Sequence, residues 1–202
     1  MCQRLGIAFL VVFSLGAVAQ GTVQKLKVSD APLTSKQLAI YRVVLVNYLK
    51  GSGRVLNLAN ITEPFDEPDT ACVPGLDSRV AKRSASTVHR IASSFVAGTK
   101  ITLVDSSRQQ ATIKESDPQN LMRKALDDHQ KITDEQLDQS VKSAFDTGLF
   151  TLSEIAFDRE HRRAVLSYSF VCGRLCGNGN TLVLRKVGHN WKVLKRRGGW
   201  VS

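Results

Sequence analysis

Four short runs of alternating apolar and polar residues, joined by very short connections, fill the chain from Leu152 to its end. The runs are LSEIAFD, AVLSYSFV, TLVLRKV and WKVLKRR, and the connections are REHR, a cysteine-containing loop and GHN. Alternation with a period of two indicates β-strands with one buried face. Because connections this short join only antiparallel neighbours, residues 150–202 are predicted to form a four-stranded antiparallel β-meander.

The preceding half, residues 30–148, mixes helical and strand patterns. Thr34 with Gln37, and Thr133 with Gln136, have the spacing of a capping box and predict two helices, the first over 35–50. Helices are also predicted after Pro118 and, as a short element, within STVHRIASSFVAG, whereas RVLNLANIT, KITLVD and QATIKE favour strands. The prediction is one α+β domain over 20–202, whose helices and short strands pack with the meander and share its core.

The N-terminus has the pattern of a secretory signal peptide. MCQR is followed by an unbroken apolar run that ends at Ala17-Val18-Ala19, an A-x-A cleavage site, so residues 1–19 are the predicted signal. The run is shorter than the roughly 20 residues that cross a bilayer. We expect an exported protein, periplasmic or extracellular, with no transmembrane segment after cleavage.

Positive charge is concentrated near the C-terminus. The formal net charge is +10, and no acidic residue follows Glu160. A basic face favours an anionic partner, such as a nucleic acid, an envelope polymer, a lipid surface or an acidic protein; the alternative is an ordinary solvated face. The candidate binding residues are Arg174, Arg185, Trp191, Lys192, Arg196 and Arg197.

The stretch FVCGRLCGNGN places Cys172 and Cys176 in a glycine-rich connection. Further ligands with zinc-site spacing are missing, and a redox motif would have a C-x-x-C at a helix N-terminus. A disulfide within the hairpin fits best, with the loop glycines supplying positive φ angles. We therefore predict no metal and no cofactor. Cys72 is left either as a free or intermolecular thiol, or as a competing partner of one of these cysteines.

The C-terminal segment resembles that of secreted proteins from environmental bacteria. Those proteins carry a CGxLCGxG loop, a GxW turn and a WxS ending. The matching residues here are Cys172, Leu175, Cys176, Gly177, Gly179, Gly188, Trp191, Trp200 and Ser202. The resemblance implies a secreted bacterial origin and implies no catalytic activity.

Two classes of function follow from these patterns. The chain has no G-x-S-x-G, H-E-x-x-H, phosphate-binding glycine loop or dinucleotide fingerprint. The first hypothesis is a non-enzymatic exported module that binds an anionic macromolecule or a protein partner. The alternative is a hydrolase or thiol-dependent enzyme that uses His161 or His189, which a pocket combining either histidine with a buried acid and a nucleophile would favour.

Overall fold

The computed structural model describes residues 26–50, 53–65 and 87–202. The predicted signal peptide, residues 1–19, and Cys72 lie outside these ranges. Within them, no helix is both long enough and apolar enough to cross a membrane.

Helices and strands alternate in the first half, and strands dominate the second, which confirms the α+β fold class. The elements are β1 (Lys27–Ser29), α1 (Ser35–Leu49), β2 (Leu56–Ala59), β3 (Thr87–His89), α2 (Ser93–Val96), β4 (Ile101–Val104), α3 (Ser106–Ser116), α4 (Pro118–Asp127), α5 (Asp134–Thr147), β5 (Leu149–Leu152), β6 (Ala156–Phe157), β7 (Arg163–Gly173), β8 (Cys176–Val187) and β9 (Asn190–Val201).

One mixed sheet of seven strands organises the described part of the chain, in the order β4-β2-β5-β7-β8-β9, with β6 paired to β7. Strand β2 is parallel to both β4 and β5. Strands β5, β7, β8 and β9 are antiparallel neighbours and form the predicted meander. Because β2 pairs with β5, the two halves share one sheet. Strands β1 and β3 form a separate parallel pair.

Most of the apolar core lies on one face of this sheet, where α1 and α5 pack. The capping box of Thr34 and Gln37 starts α1 as predicted. This helix buries Ile40, Tyr41 and Val44, whereas Val46 is 63% exposed, so α1 packs on the sheet through one face. On the other face of the sheet, α3 packs over Ala59 and Leu149.

Two local predictions are wrong. The stretch QATIKE lies in α3, because Asp105 caps that helix by accepting from the backbone N–H of Arg108 at 2.9 Å. Local capping here outweighs the β-propensity of two branched residues. The predicted helix within STVHRIASSFVAG is instead strand β3 followed by the short α2. Strand β3 forms because β1 pairs with it, a distant partner that a local pattern does not reveal.

Candidate functional site

The predicted disulfide lies at the tip of the β7–β8 hairpin. Cys172 and Cys176 have their Cα atoms 5.0 Å apart and their sulfurs at bonding distance. Only Arg174 and Leu175 separate the two strands. Asp117 lies against this tip: its Oδ2 accepts from the backbone N–H of Arg174 at 3.1 Å and is 3.9 Å from the Arg174 Nε. The tip therefore presents a partnered cation.

The glycines that follow the disulfide make room for a ring. A Cβ on Gly179 would lie 2.3 Å from Trp200 Nε1, and one on Gly177 would lie 3.0 Å from Trp200 Cζ3. Neither glycine has a positive φ angle. The prediction that the loop glycines supply positive φ angles is therefore wrong for these two, which instead leave space beneath the indole, whereas Gly173 has φ 157°.

The two tryptophans have different environments. Trp191 is 6% exposed and lies in the main core, where its ring meets Phe157 edge-on at 6.1 Å. A buried indole presents no surface to a macromolecule, so its burial does not support Trp191 as a binding residue. Trp200 is 43% exposed and is the tryptophan available at the surface.

A bulge decides which cations share a face. Leu184 pairs with Val193, but Val183 pairs with Lys195, so Leu194 is an extra residue in β9. Directly paired residues point to the same face of a sheet. The register therefore aligns five residues on one face, which we call the basic strip: Arg185, Lys192, Lys195, Arg197 and Trp200.

The basic strip contains only part of the predicted set. Arg196 pairs with Leu182 and points to the opposite face. Arg174 lies at the hairpin tip with Asp117. Lys195, which was not among the predicted residues, belongs to the strip because of the bulge. From Gly179 to Arg185, the strip follows β8 for about 20 Å at the usual rise of a strand.

The cations of the strip lack acidic partners among the described residues. No ion pair there involves Arg185, Lys192 or Lys195, all three of which are exposed. Nε of Arg197 is buried and has no hydrogen-bond partner. Arg185 also lines a depression that contains two acids, Asp158 and Glu160, and three further cations, Arg162, Arg163 and Lys186.

A second polar site arises where the first predicted strand of the meander is broken. The run LSEIAFD forms β5 and β6, which are separated by Ser153, Glu154 and Ile155. Oγ of Ser153 accepts from the backbone N–H of Ser167 at 2.8 Å, taking the place of a ladder bond. This detour removes Glu154 from the sheet, and its backbone N–H donates to Glu63 O at 2.7 Å.

Glu154 is 4% exposed and acts as a shared acceptor. Its Oε1 accepts from His89 Nδ1 at 2.9 Å, from His89 N at 3.0 Å and from the hydroxyl of Thr62. When the His89 ring donates to Glu154 through Nδ1, Nε2 is left without a hydrogen-bond partner among the described residues.

Glu154 also affects the nearby core. Tyr41 donates its hydroxyl to Ser153 O at 2.9 Å. Burial, and secondarily the negative charge of Glu154, raise the pKa of Tyr41 well above its ordinary value of 10.0. The phenol is therefore a neutral donor at physiological pH.

A cleft of about 570 Å³ opens beside this pair. Its lining includes the first turn of α1, from Thr34 to Gln37, and His89, Glu154 and Ile155. His161 also lines the cleft and has φ 53°, a left-handed conformation that is uncommon outside glycine. Its ring stacks on Phe157 with centroids 5.1 Å apart.

Of the two histidines in the enzymatic hypothesis, one lines the cleft and the other lies outside it. His161 lines it, while His189 is exposed in the turn between β8 and β9. Sequence analysis missed both His89 and Glu154, because one was assigned to a helix and the other to a regular strand. Among the described residues, no group of three or more His, Cys, Asp or Glu side chains is arranged to hold a metal ion.

Comparison of the chain with protein-family models, with curated proteins and with solved structures gives no match.

Proposed function

We propose that the protein is an exported module that binds a linear anionic polymer along the basic strip. The observation that carries this proposal is the alignment of Arg185, Lys192 and Lys195 on one exposed face without acidic partners among the described residues. Charges in such a row attract successive phosphates, sulfates or carboxylates of a chain. Trp200 at the end of the row offers a partly exposed ring on which a base or sugar can stack.

Strand β9 is also an edge of the sheet, and lysines on an edge strand discourage pairing between molecules. Measuring binding distinguishes a ligand-binding role of these lysines from a role in preventing pairing between edge strands. Single-stranded DNA and heparin serve as probes at increasing NaCl concentration. The variant R185Q/K192Q/K195Q should weaken binding of single-stranded DNA and reduce the slope of log K against log salt by about 2.

The matched control removes the same number of charges elsewhere. Lys114, Lys124 and Lys131 are exposed on or beside α3 and α4, and their replacement by Gln lowers the net charge equally. If binding depends on the strip, this control variant should keep both its affinity for single-stranded DNA and its salt slope. Equal losses in the two triple variants, or no salt-sensitive binding to either probe, would contradict the proposal.

A further inference from the structure

The cleft beside α1 combines an oriented imidazole with groups that can stabilise negative charge. Glu154 holds the His89 ring through Nδ1 and leaves Nε2, which no described residue contacts by a hydrogen bond, for a ligand. This carboxylate–imidazole arrangement is that of a general base, because the carboxylate fixes the tautomer and stabilises the imidazolium when it forms. His89 is partly accessible, with 18% of its side chain exposed.

The first turn of α1, which also lines the cleft, supplies positive potential. Ser35 and Lys36 begin α1, so their backbone N–H groups have no acceptor within the helix. Gln37 and Thr34 satisfy each other through the capping box, which leaves those two N–H groups as the donors of the first turn. Lys36 lines the cleft and carries a further positive charge.

We propose that this cleft is a hydrolytic site for carboxylic esters, in which His89 is the general base and Glu154 is its positioning residue. A carbonyl substrate fits because its oxygen becomes negative only during the reaction, when the N–H groups of Ser35 and Lys36 face it. Ile155 and Phe157 give the cleft apolar surface for the acyl group.

The reaction consumes one water and needs no other reactant. Nε2 of His89 takes a proton from the water while the water oxygen bonds to the acyl carbon and the carbonyl electron pair moves onto its oxygen. Collapse of this intermediate re-forms the carbonyl and breaks the bond to the alkoxy oxygen. The leaving oxygen takes the proton back from Nε2, and the products are a carboxylic acid and an alcohol.

The histidines outside the cleft provide a control for ester hydrolysis by any exposed imidazole. It has four histidines, of which His89 and His161 line the cleft, while His129 and His189 are exposed outside it. The full chain is assayed with p-nitrophenyl acetate. H89Q should lower kcat/KM by about 100-fold, and H129Q/H189Q should leave it unchanged.

Two further variants keep the test decisive. E154Q should lower kcat with little change in KM, because it alters the orientation of the base and not the binding of the ester. S35W places a large side chain at an exposed position that lines the cleft, so it should abolish hydrolysis even where H89Q does not fold. Absence of saturable hydrolysis, or equal losses in H89Q and H129Q/H189Q, would overturn the proposal.

Discussion

Glu154 in the cleft is 4% exposed and is surrounded by donors, whereas Lys192 and Lys195 in the basic strip are exposed and have no acidic partner among the described residues. Removing a buried acceptor leaves its donors unsatisfied, which is costly. Removing an exposed cation costs almost nothing. The fold therefore depends on the polar groups of the cleft, whereas the strip is free to serve a partner.

The largest expected effect tests the cleft directly. E154A should lower the free energy of unfolding by about 3 kcal/mol, because His89 and Thr62 lose their common charged acceptor. Urea denaturation measures this loss. E160A is the matched control: Glu160 is 73% exposed beside Arg162, and its removal should leave stability unchanged. Similar values for the two variants would remove the contrast between buried and exposed charge.

Removing the disulfide tests the tip that adjoins the Trp200 end of the strip. C172A/C176A should lose about 2 kcal/mol, because the ring that the bond closes is small and restricts the unfolded chain only modestly. Unfolding of the unaltered protein in a thiol reductant should give a similar loss. Hydrolysis in the cleft should be unaffected by the variant, and a loss of both would show that the two regions are coupled.

A smaller effect concerns the phenol that lies under the cleft. Y41F should cost about 1 kcal/mol near neutral pH, since Ser153 O loses its donor. The raised pKa of Tyr41 means that the folded state keeps a proton that the unfolded state releases. Stability should therefore fall as the pH rises above 10.0. Urea denaturation measured from about pH 8 to about pH 11 should show a smaller loss of stability for Y41F than for the unaltered protein.

The smallest effect belongs to the strip. K192Q/K195Q should change the free energy of unfolding by less than about 0.5 kcal/mol, because exposed lysines contribute little to packing. The same variant should reduce binding to single-stranded DNA. A stability loss as large as that of E154A would show that the strip is structural, and the contrast between the two regions would disappear.

The fold class, the meander and the ends of the capped helices could be predicted because each depends on residues close together in the chain. The capping boxes at Thr34 and Thr133 begin α1 and α5 where the spacing indicates. Strand β3 was missed because it depends on β1, far away in sequence. The parallel pairing of β2 with β5 is equally long-range, and no local pattern reports it.

The sites were less predictable for the same reason. In the sequence, Glu154 occupies a polar position of an alternating pattern that predicts one continuous strand. The pairing of β5 and β6 with β7 shows that the strand is interrupted there. Its partner His89 comes from another sheet. Burial of Trp191 and exposure of Trp200 also follow from the register of β9, because Trp191 pairs with Lys186 and Trp200 with Gly179, which lie on opposite faces of β8.

The extra residue at Leu194 lets Lys192 and Lys195 share a face although they are three positions apart in the sequence. Deleting Leu194 would remove the bulge and leave Lys195 opposite Val183 and Arg197 opposite Thr181, so these cations would keep their face. A regular strand that kept Leu194 would instead turn Lys195 and Arg197 toward the apolar side and Arg196 outward. The bulge, and not the order of the cations alone, therefore sets which positive charges reach this surface.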